Sequence, residues 1–274
     1  MTPYYADEAV TLYHGDGLKV VPALGLIAVD VIIFDPPYSA HVHKSNRRGL
    51  TAHAGVFSER RDLGFDSLGK AAMKRMAALC GEMALRWVLV FSDSESDYLW
   101  RRELQRNRLE YIRTCFWEKV GGAPQFTGDR PAVACEAITV CHPAGRKRWN
   151  GGGKQGIYKH PIVVGRGGPN EVRVHTTQKP LGLMCELVGD FSEEGETVLD
   201  FTAGSGTTGV AAKLNGRKAI LVERDEKSCE TAAKRLQAAE PGQLFAREPR
   251  ARQTSMTLES PECGRRGDPV VRNR

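Results

Sequence analysis

The chain has 274 residues, 41% of them hydrophobic, and 39 Lys plus Arg against 33 Asp plus Glu give a net charge of +6 and a pI near 9.0. That is enough chain for one large domain, and the average composition is that of a folded protein. No run approaches the ~18 apolar residues of a membrane span. "MTPYYADEAV" has no basic-then-apolar leader, and the seven scattered cysteines form neither a CxxC pair nor a common zinc spacing. The expectation is a cytoplasmic protein with no membrane association and no metal.

In chain order, "DVIIFD" (30–35) reads as a short buried strand, β-branched and bounded by turn residues. A helical pattern comes next at 68–85, with Leu68, Ala72, Met76, Leu79 and Met83 roughly on one face. "RWVLVFSD" (86–93) predicts a strand and 94–107 a helix. "IRTCFWEK" (112–119) and "CEAITVCH" (135–142) are two more strands. A helix at 181–191, the strand "TVLDF" (197–201), a helix at 207–215, the strand "KAILVE" (218–223) and a helix at 227–239 complete the pattern. Strands alternating with helices mean an α/β fold with a mainly parallel sheet.

Two long stretches, 39–67 and 120–174, break the alternation, and both are rich in Gly, Arg, Lys, His and Asn. Long loops inside a compact domain usually carry function. Residues 101–175 hold 14 Lys plus Arg against 6 Asp plus Glu, a surplus of 8 that exceeds the whole-chain net of +6. A basic surplus concentrated in this way is the footprint expected for a phosphate backbone. Past residue 240 the chain turns Pro-, Arg- and Ser-rich. This predicts a single domain over 1–240 and a flexible basic tail over 241–274.

Two motifs carry chemistry. The first is the run into Asp35, Pro36, Pro37 and Tyr38 at the end of the first strand. Proline fixes φ and restricts the residue before it, so the Asp35 carboxylate and the Pro36 carbonyl are held as stiff acceptors. Tyr38 offers a flat face for stacking. The second is "VLDFTAGSGTTGVAAKLNGRKAILVERD", in which Gly204-x-Gly206-x-x-Gly209 comes after a strand and opens a helix, and Glu223 ends the next strand. Such glycines allow tight turning and close backbone approach, and the acid can take two ribose hydroxyls. Taken alone, this motif fits any adenosine-bearing cofactor, NAD included.

Together, the two motifs resemble the S-adenosylmethionine-dependent DNA amino-methyltransferases, which methylate the exocyclic N6 of adenine or N4 of cytosine. The DPPY tetrad precedes the glycine motif by 165 residues, from Asp35 to Asp200, and that circularly permuted order is similar to the β class of the family. "HTTQKPLGLM" (175–184) resembles the family's H-x-x-x-K-P element, and "YHGDGLKVVPAL" (13–24) its G-D element. The resemblance spans roughly 10–238. It implies a Rossmann-like methyltransferase fold, with a mixed, mostly parallel seven-stranded sheet and inserted target-recognition loops.

By the resemblance, Asp35, Pro36, Pro37 and Tyr38 are catalytic. S-adenosylmethionine, leaving as S-adenosylhomocysteine, is held by Asp16, Phe34, Asp35, Lys179, Pro180, Asp200, Phe201, Ala203, Gly204, Ser205, Gly206, Thr207, Thr208 and Glu223. Asp16 lies near the cofactor adenine and Glu223 on its ribose, while Lys179 and Pro180 contact its methionine end or begin the covering helix. Where Thr202 stands the family often has Pro, a departure expected to matter little. Segment 120–174 becomes the target-recognition region. DNA contacts are expected from Arg130, Arg146, Lys147, Arg148 and Lys154, with His43, Lys44, Arg47 and Arg48 closing over a flipped base.

Asp at the head of the tetrad favours adenine N6, with cytosine N4 as the alternative. RNA or protein-amide methylation and a non-catalytic DNA-binding regulator are weaker readings. Protein-amide enzymes of related type carry Asn at the head of the tetrad, in unpermuted order. Double-stranded DNA, a second copy of the chain in a homodimer, and either a restriction endonuclease or an orphan role are the implied associations.

Overall fold

The structure is a computed structural model and describes residues 1–37, 69–122, 128–163 and 178–240. The expectations for Tyr38, His43, Lys44, Arg47, Arg48 and the tail 241–274 fall outside these residues.

Among the described residues, nine strands form one sheet. They are β1 (Tyr5–Ala6), β2 (Val10–His14), β3 (Val31–Phe34), β4 (Val88–Ser92), β5 (Leu109–Val120), β6 (Cys135–Pro143), β7 (Ile157–Pro161), β8 (Thr197–Asp200) and β9 (Lys218–Glu223). Their order across the sheet is β1-β2-β9-β8-β3-β4-β6-β5-β7. Neighbours from β2 to β4 pair in parallel, β6 runs antiparallel to both β4 and β5, and β7 is parallel to β5. The mixed, mostly parallel sheet agrees with expectation, but the strand count rises from seven to nine. The two-residue β1 is too short to pattern, and β2 (Val10–His14) is not among the six strands that the pattern predicts. β7 sits in the Gly- and Lys-rich stretch read as loop, where the surrounding composition masks "IYKHP".

Among the described residues, six helices cover the sheet: α1 (Gly17–Ala23), α2 (Lys70–Met83), α3 (Asp97–Arg106), α4 (Leu181–Phe191), α5 (Thr207–Leu214) and α6 (Glu226–Ala238). The last five match the periodic stretches to within about three residues. α1 has no such pattern because Pro22 lies inside it; the helix is only two turns long, and the Asp16 carboxylate caps it by accepting from Leu18 N at 3.0 Å.

All four β3 residues and all five of β4 are buried, as central strands covered on both faces require. Strand alternation deals their side chains into two cores. Val31, Ile33, Leu89 and Phe91 pack with α4, α5 and α6, whereas Ile32, Phe34, Val88 and Val90 pack with α1, α2 and α3.

This topology positions the site. From β8 the chain continues to β9 on one side, and from β3 to β4 on the other, so strand order reverses between β8 and β3, which are themselves parallel neighbours. A crevice outside the carboxyl ends of strands at such a reversal is where open α/β sheets bind ligands. β6 begins at this same edge, because Ala137 pairs with Ser92, and β7 ends there, because Pro161 pairs with Val120.

Candidate active site

Asp35 comes directly after β3, and the glycine loop directly after β8. The link between them is Thr202. Its Oγ1 accepts the Asp35 backbone N–H at 3.2 Å, while its own N–H donates to Asp200 Oδ1 at 3.0 Å. A proline at 202 could make neither bond, so the departure from the family pattern that was expected to matter little instead ties the two motifs together.

The loop itself is held from below and behind. Asp200 is buried, and its Oδ2 accepts from Thr208 Oγ1 at 2.5 Å. Burial pushes the Asp200 carboxyl up to about 7; the bonds from Thr208 and Thr202 oppose that rise, and the nearby Asp35 and Glu223 charges add to it. Gly206 has φ 76° at the start of α5, and a Cβ there would lie 2.8 Å from the Ala232 Cβ. Arg235 on α6 clamps the loop by donating to Ser205 O at 2.7 Å and to Thr207 Oγ1 at 2.9 Å. Nothing in the local sequence marked Arg235, because its partners lie about thirty residues away.

Glu223 at the end of β9 turns both carboxylate oxygens to backbone, accepting from Gly204 N and from Asp225 N, each at 2.7 Å. An ionised carboxylate has about four acceptor sites, so capacity for ribose hydroxyls remains. Gly204 (φ 52°) has nothing within 4 Å of where a Cβ would stand, so this side of the loop is open to a ligand. Asp16 lies beside it, since Gly15 N donates to Glu223 O at 2.8 Å. Backbone amides, an open glycine face and a fixed acid suit an adenosine-bearing cofactor.

Two residues expected at the cofactor, Phe34 and Phe201, have their side chains in the core. Phe34 and Phe201 stack at 4.4 Å between centroids, and Phe34 meets Trp100 edge-on at 5.5 Å. Both phenyl groups are therefore core, leaving their backbone at the crevice. Lys179 donates to Asp35 Oδ2 at 2.6 Å, and Pro180 is the N-cap residue of α4, at the start of the helix as expected. Ala203 is fixed through its N–H to Val222 O at 3.0 Å.

A cavity of about 160 Å³ opens beside Pro36 and Pro37, floored by Phe91, Ser92 and Trp100. Among the described residues, no group of three His, Cys, Asp or Glu side chains could hold a metal ion, and no helix is long and apolar enough to cross a membrane.

The expected DNA contacts separate. Arg130 lies in the β5–β6 connection at the edge of the site and pairs with its neighbour Asp129. Arg146, Lys147 and Arg148 lie past the far end of β6, at the opposite edge of the sheet. There Lys147 pairs with Glu110 at 2.7 Å, and the Arg148 carbonyl accepts from Trp87 Nε1 at 2.6 Å. Lys154 bonds Glu186 and the buried Asp190 of α4. Segment 120–174 is thus divided between two edges, which its uniformly basic composition did not reveal.

Fold, topological reversal and crevice define a Rossmann-like α/β protein built for an adenosine cofactor. Residues 29–234 match the family described as DNA methylase, and the chain belongs to that family. It is similar to the Type II methyltransferase M.HinfI of Haemophilus influenzae, at 24% identity over 86% of this chain and 70% of that one. It is likewise similar to the Type II methyltransferase M2.DpnII of Streptococcus pneumoniae, at 23% identity over 86% and 92%. Among solved structures it resembles M1.HpyAVI in complex with SAM (TM-score 0.61, 23% identity, 83% of this chain and 98% of that one). It also resembles the cytosine-N4-specific PvuII DNA methyltransferase (TM-score 0.65, 13% identity, 85% and 88%).

Proposed function

We propose that this protein is a site-specific DNA methyltransferase that moves a methyl group from S-adenosylmethionine to the N6 amine of adenine in duplex DNA. The observation that carries this reading is the Asp35–Thr202–Asp200 linkage, which fixes an acceptor-bearing Asp-Pro-Pro beside a cofactor loop. When bound, S-adenosylmethionine supplies an electrophilic methyl on a sulfonium. The protein's own task is placement. An exocyclic amine delocalises its lone pair into the ring. The Asp35 carboxylate and Pro36 carbonyl accept its N–H bonds and so turn that lone pair outward for in-line displacement. Tyr38 stacks on the base. The target amine lies inside the duplex, so the base is rotated out at a cost of a few kcal/mol.

DNA is gripped at the edge that carries Arg130 and the connections after β3, β5 and β7. Arg146, Lys147, Arg148 and Lys154 have no role beside the reacting base. The protein works in the cytoplasm as a homodimer, with a restriction endonuclease of the same specificity or as an orphan. Cytosine N4 is the second reading, favoured by the likeness to a cytosine-N4-specific enzyme.

The test is methylation of duplex DNA and digestion of the product to nucleosides. N6-methyladenine is expected, and Asp35→Ala should lose more than about 10³-fold in rate while still binding DNA. N4-methylcytosine without N6-methyladenine would overturn the adenine assignment, and undiminished transfer by Asp35→Ala would overturn the role of Asp35. Sedimentation of the DNA-bound protein as a single 30 kDa species would exclude the dimer.

A further inference from the structure

Lys179 does not end at Asp35. Its Nζ also lies 3.1 Å from Glu136 Oε2 on β6, and Glu136 Oε1 lies 2.7 Å from Lys119 Nζ on β5. The four side chains alternate in charge, from Asp35 through Lys179 and Glu136 to Lys119. Lys179 is 10% exposed and Glu136 12%. The Lys179 ammonium sits over the Phe91 ring at 4.8 Å and the Trp117 ring at 6.0 Å. Lys119 also lies over the Trp117 ring, at 5.2 Å.

We propose that Glu136 is a positioning residue for methyl transfer: it holds Lys179 charged and aimed at Asp35, and Lys119 in turn holds Glu136. This inference rests on the methyltransferase reading and names residues outside both motifs.

A buried lysine tends to lose its proton, and burial opposes the charged form of Lys179. The Asp35 and Glu136 charges and hydrogen bonds outweigh it and raise its pKa. Lys179 alone would leave the acceptor neutralised just where an amine nitrogen gains positive charge. Glu136 shares the Lys179 ammonium with Asp35, so the Asp35 carboxylate keeps part of its negative charge for the reacting nitrogen, while Lys119 balances Glu136 at its other oxygen. Charged neighbours among the described residues include Asp200, which repels Asp35 across the β8 end, and Lys119, which is less buried than Lys179. Because Glu136 shares the donors of Lys179, it also fixes which of them faces Asp35.

The experiment is a pH–rate profile of single-turnover methyl transfer for the full-length protein and the variants Glu136→Gln, Glu136→Asp and Lys119→Met, with cofactor affinity measured separately. The wild-type alkaline arm is expected to stay flat to about pH 9.5, because Lys179 remains charged there. Glu136→Gln is expected to lose about 10- to 100-fold in rate, with donor affinity within about threefold. It should also gain an alkaline fall below pH 9.5, as Lys179 gives up its proton more easily. Glu136→Asp should recover part of the rate and the flat arm, and Lys119→Met should keep the flat arm. A Glu136→Gln rate within about twofold of wild type, or a lost rate with an unmoved profile, would overturn the proposal. If Glu136→Gln does not fold, Glu136→Met takes its place, and a rate within about twofold of wild type or an unmoved profile for it would do the same. Absence of any methyl transfer by the wild-type protein would instead refute the functional reading itself.

Discussion

At the scale of single residues, the site depends on groups whose roles appear only in contact. Thr202 illustrates this. Its hydroxyl accepts from the Asp35 N–H and its N–H donates to Asp200. Thr202→Val keeps shape but leaves the Asp35 N–H without that acceptor, and misplacement at a reacting centre is costly. The expected outcome is about a tenfold loss in single-turnover rate with little change in melting temperature. Asp200 gives a pH prediction. Its carboxyl, at 3.8 in the unfolded chain, rises to about 7 in the folded protein. Between these values the folded state therefore binds more protons than the unfolded one, and stability falls as pH rises through that window. Thermal melts of the cofactor-free protein should fall from pH 5 to pH 8, and Asp200→Asn should flatten that dependence.

At the scale of elements, helices and strands bring the pieces of the proposed site to one edge. α5 starts at a left-handed Gly206 that packs on Ala232 of α6. Gly206→Ala adds backbone strain and a 2.8 Å contact together, which should cost about 2–4 kcal/mol by urea unfolding and weaken cofactor binding. The periodic helices were legible because their apolar faces repeat locally: α2 buries Met73, Met76, Ala77, Leu79, Cys80 and Met83. The face drawn from spacing alone gave Met76, Leu79 and Met83 correctly but chose Ala72 over Met73, a rotation of one position. β7 and α1 were not legible, the first for want of alternation and the second because of Pro22.

At the scale of the whole molecule, the basic middle of the chain does two jobs. Uniform composition suggested one DNA-binding region, but β6 carries the chain across the sheet, so residues 146–148 emerge at the far edge. Lys154 is the test. It pairs with the buried Asp190 and with Glu186, whose carboxyl falls to about 2 through His160, against burial and with further help from Lys154. Lys154→Met removes the ammonium partner of the buried Asp190 while the Tyr158 hydroxyl still donates to it, which should cost about 3 kcal/mol. A lowered melting temperature is expected, with DNA affinity of the folded protein unchanged. A large loss of DNA affinity at full stability would return Lys154 to the DNA interface.

The sequence by itself determined the chemistry: an Asp-Pro-Pro strand end and a glycine loop with its acid are local patterns, set by steric limits on a few adjacent residues. The same local limits made the α/β class and most helices readable. The tertiary structure alone decided which charges meet. Lys179 and Asp35 are 144 residues apart, and Arg235 and Ser205 are 30 apart. Pairs at such distances are joined by sheet order and strand direction, which no run of neighbouring residues encodes.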